Sequence, residues 1–325
     1  MVMPTYIDRY LAGERVAVWN ELIALGEAVR RKPVQADANA VAEETMRRAR
    51  QNIEVLIPRL SGVGYRFAAP AIERELEKID QRIREPKINA FTLRRLEKAV
   101  AEGTLPASAL DPRQRPGFQE WVATLQEEKA ALEAELERMA TMPPLENPKV
   151  FYWPEEQTAK SLKTIEKQTN GPLPLSLRSW YRHVGYVSFA GSHPVLNPAG
   201  SATADPLVVR PAAEIMMGVP IPGDDTEVSV AEIMEELERA RENGKKVLTI
   251  SESDRSKAGL QGGKQCKIWL PDPSADVELR NLWRPITFVA YLRNAFEWGG
   301  FPGWERDPSP PRDAVAELTE GLLPL

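Results

Sequence analysis

Apolar residues recur at the three- and four-residue spacing of amphipathic helices through the first 142 positions of the chain. Two stripes define the first helices: Ile7, Leu11, Val18, Leu22 and Leu25, and then Val41, Met46, Ile53, Leu56 and Ile57. We expect Asp37 to cap the second helix, since a carboxylate at a helix start accepts from free amide groups of the first turn. Further helices are predicted over residues 71–83 and 91–100. The sequence therefore predicts a helical bundle domain over residues 1–142.

The longest predicted helix follows Gly117 and has the heptad spacing of a coiled coil. Its seam consists of Phe118, Val122, Leu125, Lys129, Leu132, Leu136 and Met139, so a lysine interrupts it once. The pattern fits an antiparallel helical hairpin within the chain, which we favour, and it also fits a coiled-coil dimer. Three heptads are too few to require a dimer, so we expect a monomer or a weak dimer through this helical domain.

A polar, proline-rich stretch separates this helical part from the rest of the chain. The sequence TMPPLENPK, residues 141–149, has adjacent prolines followed by polar residues, which is typical of a linker. Acidic and basic residues are about balanced before it, so the net charge of −5 lies after it. We therefore predict a protease-sensitive linker at residues 143–149 and a second domain at residues 150–325 that folds alone.

The second domain is predicted to combine helices with short β-strands. Helices are predicted over residues 159–168, 175–184 and 313–318, after Pro285, and in VAEIMEELERARENGKK, which Gly244 is placed to end. Short β-like runs lie between them: YVSFA, PLVVRP, KVLTIS and KQCKIWLP. This order predicts an α+β fold with a mainly antiparallel sheet flanked by helices. We expect the apolar faces of these helices to be committed to the core.

Trp180 and Tyr181 are predicted to lie in that core. Trp180 continues a stripe with Leu173, Leu177 and Val184 at spacings of four and three. Adjacent helical residues point about 100° apart, so both rings are buried only where the helix lies between two layers.

Composition and charge narrow the class of protein. Of 325 residues, 42% are hydrophobic and 27% are charged, as in ordinary globular proteins. The net charge of −5 argues against direct nucleic-acid binding, which favours a basic surface. The single cysteine, Cys266, excludes an internal disulfide, and no apolar run approaches the roughly 20 residues of a membrane span. Because the N-terminus lacks a signal-peptide pattern, we expect a cytoplasmic protein with no membrane association.

No motif in the sequence predicts a catalytic site, a cofactor or a metal. The two histidines, His183 and His193, belong to no metal-ligand cluster, and no nucleophile-elbow motif accompanies them. The stretch GLQGGK, residues 259–264, lacks the glycine spacing and the Ser or Thr of a phosphate-binding loop. The adjacent acids of GDDTE, residues 223–227, are more typical of a solvated loop than of a cation site. We therefore expect a binding protein rather than an enzyme.

An aromatic and glycine-rich stretch, EWGGFPGW, occupies residues 297–304. Glycine destabilises a helix interior, and a solvated loop has no need of two tryptophans and a phenylalanine. The stretch is therefore predicted to be a shaped turn whose aromatic side chains pack on the protein's own core or on a partner.

Four stretches of the second domain, taken in order, resemble the SMI1/KNR4 family of the SUKH superfamily. They are IEKQTNGPLPLSLRSWYRHVG, SESDRSKAGLQGGKQCKIWLPDPSADVEL, ITFVAYLRNAFEWGGFPGW and LTEGLLPL. The resemblance implies an α+β protein-binding module without catalysis. Many bacterial members of the family are immunity proteins that bind and neutralise a cognate toxin, frequently a nuclease. The resemblance does not extend to the N-terminal helices.

The expected partner is a protein, such as a basic toxin, that an acidic surface attracts. The candidate binding residues are loop acids and aromatic residues of the turn: Asp224, Asp225, Glu252, Asp254, Asp272, Trp298, Phe301 and Trp304. The acids of SESD and LPDPSAD flank one predicted strand, so we expect them to converge at the sheet's ends. The aromatic residues are expected to fold mainly onto the sheet and to keep some surface for a partner. The alternative function is a regulatory or scaffold protein whose helical and SUKH-like domains recruit different partners.

Overall fold

The computed structural model describes residues 4–87, 90–154, 156–198, 200–215, 230–260 and 262–325. The chain divides into two compact units. The larger unit comprises Met1–Pro70 and Pro143–Leu325, and the smaller unit comprises Ala71–Met142. The chain therefore leaves the larger unit once and returns to it.

Helices make up most of the regular structure. They are α1 (Tyr6–Leu11), α2 (Arg15–Ala24), α3 (Val34–Gly62), α4 (Ala69–Arg84), α5 (Ala90–Ala101), α6 (Phe118–Thr141), α7 (Thr158–Thr169), α8 (Leu175–His183), α9 (Ala212–Ile215), α10 (Val230–Glu242), α11 (Asp254–Lys257), α12 (Phe288–Glu297) and α13 (Arg312–Thr319). Within the described ranges, no helix combines the length and the apolar character that are needed to cross a membrane.

The strands are short and pair in an antiparallel manner. They are β1 (Arg66–Phe67), β2 (Phe151–Tyr152), β3 (Tyr186–Ser188), β4 (Gly191–Ser192), β5 (Val208–Val209), β6 (Lys246–Ser251), β7 (Cys266–Leu270), β8 (Glu278–Leu279) and β9 (Ile286–Thr287). Strands β2, β3 and β5 form one sheet in that order, and the others pair as β1–β4, β6–β7 and β8–β9. The predicted α+β fold class is confirmed.

Helix α3 belongs to the same hydrophobic core as the C-terminal part of the chain, which corrects the predicted domain boundary between residues 1–142 and 150–325. Its buried apolar stripe joins one continuous cluster with α8 and α12. Polar contacts reinforce this packing: the Asn52 amide donates to the Leu323 carbonyl at 2.8 Å, and Arg30 donates to the carbonyls of Leu173 and Pro273. The apolar spacing of α3 predicts that one face of the helix is buried. It does not identify α8 as the element that covers this face.

The predicted linker at residues 143–149 also belongs to the larger unit. The Asn147 side chain is 4% exposed, and its Oδ1 accepts from the Lys149 amide at 2.9 Å. Val150 and Phe151 follow directly and are buried. The segment is therefore anchored at Asn147, while Pro143, Leu145, Glu146, Pro148 and Lys149 are exposed. Its sensitivity to proteases stays a prediction.

Asp37 caps a different helix from the one predicted. Because α3 already begins at Val34, Asp37 lies within its first turn rather than before it. Its carboxylate accepts from the free amide groups of Tyr6 at 2.5 Å and Ile7 at 2.9 Å, at the start of α1. The predicted role of Asp37 at the start of the second helix is therefore wrong, because the amides that it accepts from lie about 30 residues away in the sequence.

Trp180 and Tyr181 are both fully buried, as predicted. The stripe of Leu173, Leu177, Trp180 and Val184 is also buried throughout. The Trp180 ring packs edge-on against Phe288 with 5.3 Å between ring centroids, and its Nε1 donates to the Gly185 carbonyl at 3.0 Å. Helix α8 therefore lies between layers, with α3 on one side and α12 on another.

The EWGGFPGW stretch closes α12 and turns back into the core. Gly300 has a φ of +100°, and a Cβ at this residue would lie 2.4 Å from the Phe189 ring. At Gly303, a Cβ would lie 1.9 Å from the Thr203 carbonyl oxygen. The glycines therefore allow a left-handed turn and close contact with the neighbouring segment, and the aromatic side chains fill the core beside them.

The smaller unit consists mainly of α4, α5 and α6. Lys129, the predicted interruption of the α6 seam, donates to Asp80 of α4 at 2.7 Å. Ile79 and Leu125 are buried. The lysine in the seam is thus paired within the chain, as the favoured hairpin arrangement requires.

Candidate protein-binding surface

The β6–β7 hairpin fixes where the candidate acids lie. Its antiparallel register pairs Ser251 with Cys266 at one end and Lys246 with Leu270 at the other. Glu252 and Asp254 follow β6 at the first end, whereas Asp272 follows β7 at the second end. A strand of this length spans about 14 Å, so the expected convergence of Asp272 with the other acids is wrong.

Glu252 and Asp254 line the same cavity, which has a volume of about 270 Å³. Its wall also includes Lys264, Trp283 and Arg306, and its floor includes Asp205 and Cys266. The sequence correctly predicted these two acids as neighbours, because they are separated by one residue after a strand. The remaining lining residues come from distant segments that no local pattern connects.

A buried ion pair lies beneath this cavity. Lys257 Nζ is 2.7 Å from Asp205 Oδ1, and the two side chains are 1% and 3% exposed. Burial opposes the charged form of Lys257, but the Asp205 carboxylate and its hydrogen bond more than offset this and raise the pKa of Lys257. The Lys257 ammonium therefore stays charged, and its contact with Asp205 holds α11 against the segment that contains Asp205.

Cys266 lies beside this ion pair and is 4% exposed. Burial raises the pKa of the Cys266 thiol to about 12, and the nearby Lys257 ammonium lowers it only in part. The thiol is therefore protonated near neutral pH, in contrast to the thiolate that a nucleophile or a metal ligand requires.

Two further cavities continue from this one. A cavity of about 360 Å³ beside α10 shares Lys264, Asn281 and Leu282 with it, and a wider one on the opposite side shares Asp254 and Arg306. We call the three together the hairpin groove, defined by these five shared residues. The groove is thus elongated, and it crosses the end of the hairpin from α10 to the segment around Arg306.

Helix α10 forms one wall of the groove. Glu236 pairs with Lys267 of β7 at 3.0 Å, and Glu232 pairs with Lys264 at 3.6 Å. Ala240, one turn beyond Glu236, is buried. Gly244, with a φ of +66°, ends the helix as predicted. Glu232, Glu236 and Ala240 therefore lie on the side of α10 that packs on the rest of the larger unit.

The opposite face of α10 exposes apolar side chains. Met234 is 51% exposed and Leu237 is 45% exposed, although they lie three residues apart in an amphipathic helix. This corrects the expectation that the apolar faces of all helices are committed to the core. Glu236 pairs with Lys267 of β7 on the groove side of α10, whereas Met234 and Leu237 face outward. We call Met234, Leu237 and the surrounding exposed glutamates, Glu235, Glu238 and Glu242, the α10 face.

The other predicted binding residues lie elsewhere. Asp224 and Asp225 fall outside the described residues. Phe301 is fully buried against Tyr65, and Trp304 is 7% exposed and donates from Nε1 to the Leu196 carbonyl at 2.9 Å. Trp298 is half-buried against the core. The expectation that these aromatic residues offer a partner surface is therefore corrected for Phe301 and Trp304, because their rings complete the core.

Two remaining polar candidates also have structural roles. Asp276 is buried and accepts from the amides of Val277 and Val289, each at 3.0 Å, so it caps the start of α12. His193 Nδ1 accepts from the amides of Val195 and Leu196, which leaves Nε2 to donate to the Val63 carbonyl. Both side chains stabilise loops of the larger unit.

Comparison of the chain with protein-family models, with curated proteins and with solved structures gives no match.

The sequence analysis did not predict the α10 face, although it predicted α10 itself. The composition of α10 did contain a signal for this exposed face. Five of its 13 residues are glutamates and two are arginines, so few apolar side chains remain to bury both faces of the helix.

Proposed function

We propose that this protein is a non-catalytic binding module that captures a basic protein through the α10 face. The observation that carries the proposal is the outward exposure of Met234 and Leu237 within a ring of glutamates. Apolar side chains at the centre of an interface with charged residues at its rim are the usual arrangement of protein-binding surfaces. Burying one such side chain completely stabilises a complex by about 1.5–3 kcal/mol.

The charge of α10 favours a basic partner. The helix carries five glutamates and two arginines, and Glu235, Glu238 and Glu242 are exposed. Opposite charge on a partner accelerates association and excludes acidic competitors. The net charge of −5 acts in the same direction over longer distances.

The kind of partner we propose is a toxin that the protein neutralises as an immunity protein, with nucleases as one class. The resemblance of four stretches to the SMI1/KNR4 family supports this role. A basic nucleic-acid-binding surface on the toxin is complementary to an acidic helix. Binding there neutralises a nuclease by covering its substrate site, without chemistry by the immunity protein.

Site-specific photo-crosslinking tests the proposal in the cells that make the protein. Benzoylphenylalanine in place of Met234 or Leu237 should crosslink one basic protein, which is then purified with and without the binding module. The matched control carries the same group at Val195, which is 49% exposed in the same unit and lies outside the α10 face. An identical product from all three positions, or no product from α10, contradicts the proposal.

A second candidate function is a scaffold that recruits a different partner through each unit. The observation that favours it is the compact smaller unit, which exposes Phe91 at 72% and Leu105 at 40%. Deletion of residues 71–142, with a short glycine-rich connection, separates the two functions. An immunity protein should still neutralise its toxin, whereas a scaffold should lose one of two partners.

A further inference from the structure

The central cavity of the hairpin groove is lined by two carboxylates, Glu252 and Asp254. Nearby cations of the protein neutralise their negative charge only in part. Asp254 Oδ1 accepts from the adjacent Arg255 amide at 2.8 Å, and Asp254 forms no ion pair within the described part of the chain. The nearest described cation to Glu252 is Arg210, at 3.8 Å, and Glu214 lies closer to that guanidinium, at 3.1 Å. The cavity therefore keeps negative charge near its entrance.

Other charges in this cavity are already balanced. Asp205 on the floor is neutralised by Lys257, and Lys264 pairs with Glu232. Arg306 stacks on the Trp283 ring, with 4.6 Å from its guanidinium carbon to the ring centroid. Among the described residues that line the cavity, Glu252 and Asp254 thus outweigh the one remaining cation, Arg306, and the site favours a cationic ligand.

Its shape favours a side chain that projects from an extended chain. The cavity has a volume of about 270 Å³ and opens at both ends into the rest of the hairpin groove. An extended peptide lying in the groove would place one side chain in the cavity and its neighbours over the two flanking cavities. A compact small molecule has no need of such an elongated site.

We propose that the cavity takes the guanidinium group of an arginine on an extended segment of the partner protein. This inference rests on the proposed function, since it places an arginine of the basic partner beside the α10 face. A planar guanidinium offers five donors in a fixed fork, so it can satisfy Glu252 and Asp254 together, whereas a lysine ammonium is a point charge. The Trp283 ring, on which Arg306 already stacks, forms the wall of the cavity beside these carboxylates.

The test uses the full-length protein and N-acetyl-L-arginine amide as the probe. Its neutral isostere, N-acetyl-L-citrulline amide, is the matched control. The readout is the NMR signal of the Trp283 indole N–H, which has no acceptor among the described residues and is assigned by Trp283→Phe. The arginine probe should shift this signal in a saturable manner, and citrulline amide should bind at least tenfold more weakly.

The paired variants Glu252→Gln and Asp254→Asn should reduce the affinity for the arginine probe at least tenfold. Glu238→Gln with Glu242→Gln removes the same charge from α10 outside the groove and should leave that affinity unchanged. A signal that citrulline amide reproduces, or one that survives the groove variants, overturns the inference. The α10 face is tested without this probe, so failure here leaves the proposed function intact and failure of the crosslinking does not alter this result.

Discussion

The ammonium group of Lys257 lies 2.7 Å from the carboxylate of Asp205, and both side chains are buried beneath the hairpin groove. This pair joins α11 to the segment before β5. Asp205 also has a φ of +44°, a conformation that few residues other than glycine adopt. The floor of the groove thus depends on one electrostatic contact.

Loss of one member of this pair should be far more damaging than loss of both. Lys257→Met leaves a buried carboxylate without its partner and should lower the free energy of unfolding by about 3–5 kcal/mol. Adding Asp205→Asn removes that charge, and asparagine tolerates the positive φ, so the double variant should recover part of the loss. Urea denaturation of Lys257→Met, Asp205→Asn and the double variant measures this coupling, and additive losses would argue against it.

Gly300 should be intolerant of any side chain. Gly300→Ala forces alanine into a φ of +100° and places its Cβ against the Phe189 ring, so we expect a loss of about 2–4 kcal/mol. Gly200→Ala is the matched control, since Gly200 has a φ of +75° and no atom near the added Cβ. Thermal denaturation should show the smaller loss for the control, and equal losses would mean that Phe189 is not the obstacle.

Trp180→Ala should lower the free energy of unfolding by about 3–5 kcal/mol, because it empties a fully buried site between helices. Trp153→Ala removes the same side chain from a residue that is 40% exposed and should cost less. Chemical denaturation compares the two. A loss below about 1 kcal/mol at Trp180 is incompatible with its position in the core.

Asp276 should make stability depend on pH. Burial raises its pKa above the usual value of 3.8, although the Val277 and Val289 amides, which donate to its carboxylate, act to lower it. The folded protein therefore holds this proton more tightly than the unfolded chain does. The stabilisation is complete below about pH 3.8 and is lost as the pH rises through the raised pKa.

Asp276→Asn has no proton to lose, so it serves as the reference for this effect. The free energy of unfolding of the wild type, measured relative to the variant, should fall as the pH rises above about 4 and through the raised pKa of Asp276. Urea titrations across this range give the difference directly. A difference that grows with pH would mean that the charged carboxylate, rather than the protonated form, is favoured by the fold.

Local patterns predicted the helices well and the long-range pairings poorly. The stripe through Trp180 and the stop at Gly185 predicted α8 to within one residue, because 3.6-residue periodicity and glycine act locally. The pairing of β1 with β4 joins residues more than 120 positions apart, and each strand has two residues. A strand this short has no periodicity that a sequence can reveal.

The candidate surface was also predicted only in part, because sequence patterns indicate local neighbours but not long-range pairings. Glu252 and Asp254 share a cavity because they are close in sequence after one strand. Asp272 was placed incorrectly because its position depends on the antiparallel register of β6 and β7. The exposure of Met234 and Leu237 depends on which face of α10 packs on the hairpin, and composition alone does not specify this. On that packed face Glu236 pairs with Lys267 of β7, and Glu232 pairs with Lys264, which precedes β7.

Binding of the partner by the α10 face is measured by the affinity of the crosslinked partner for variants of that face. Isothermal titration calorimetry would compare the wild type with the double variant Met234→Ser and Leu237→Ser, using Val195→Ser as the control. Both α10 side chains are exposed, so folding should be preserved and affinity should fall about 100-fold or more. An unchanged affinity in a folded double variant would mean that the α10 face does not bind the partner and that the binding surface lies elsewhere.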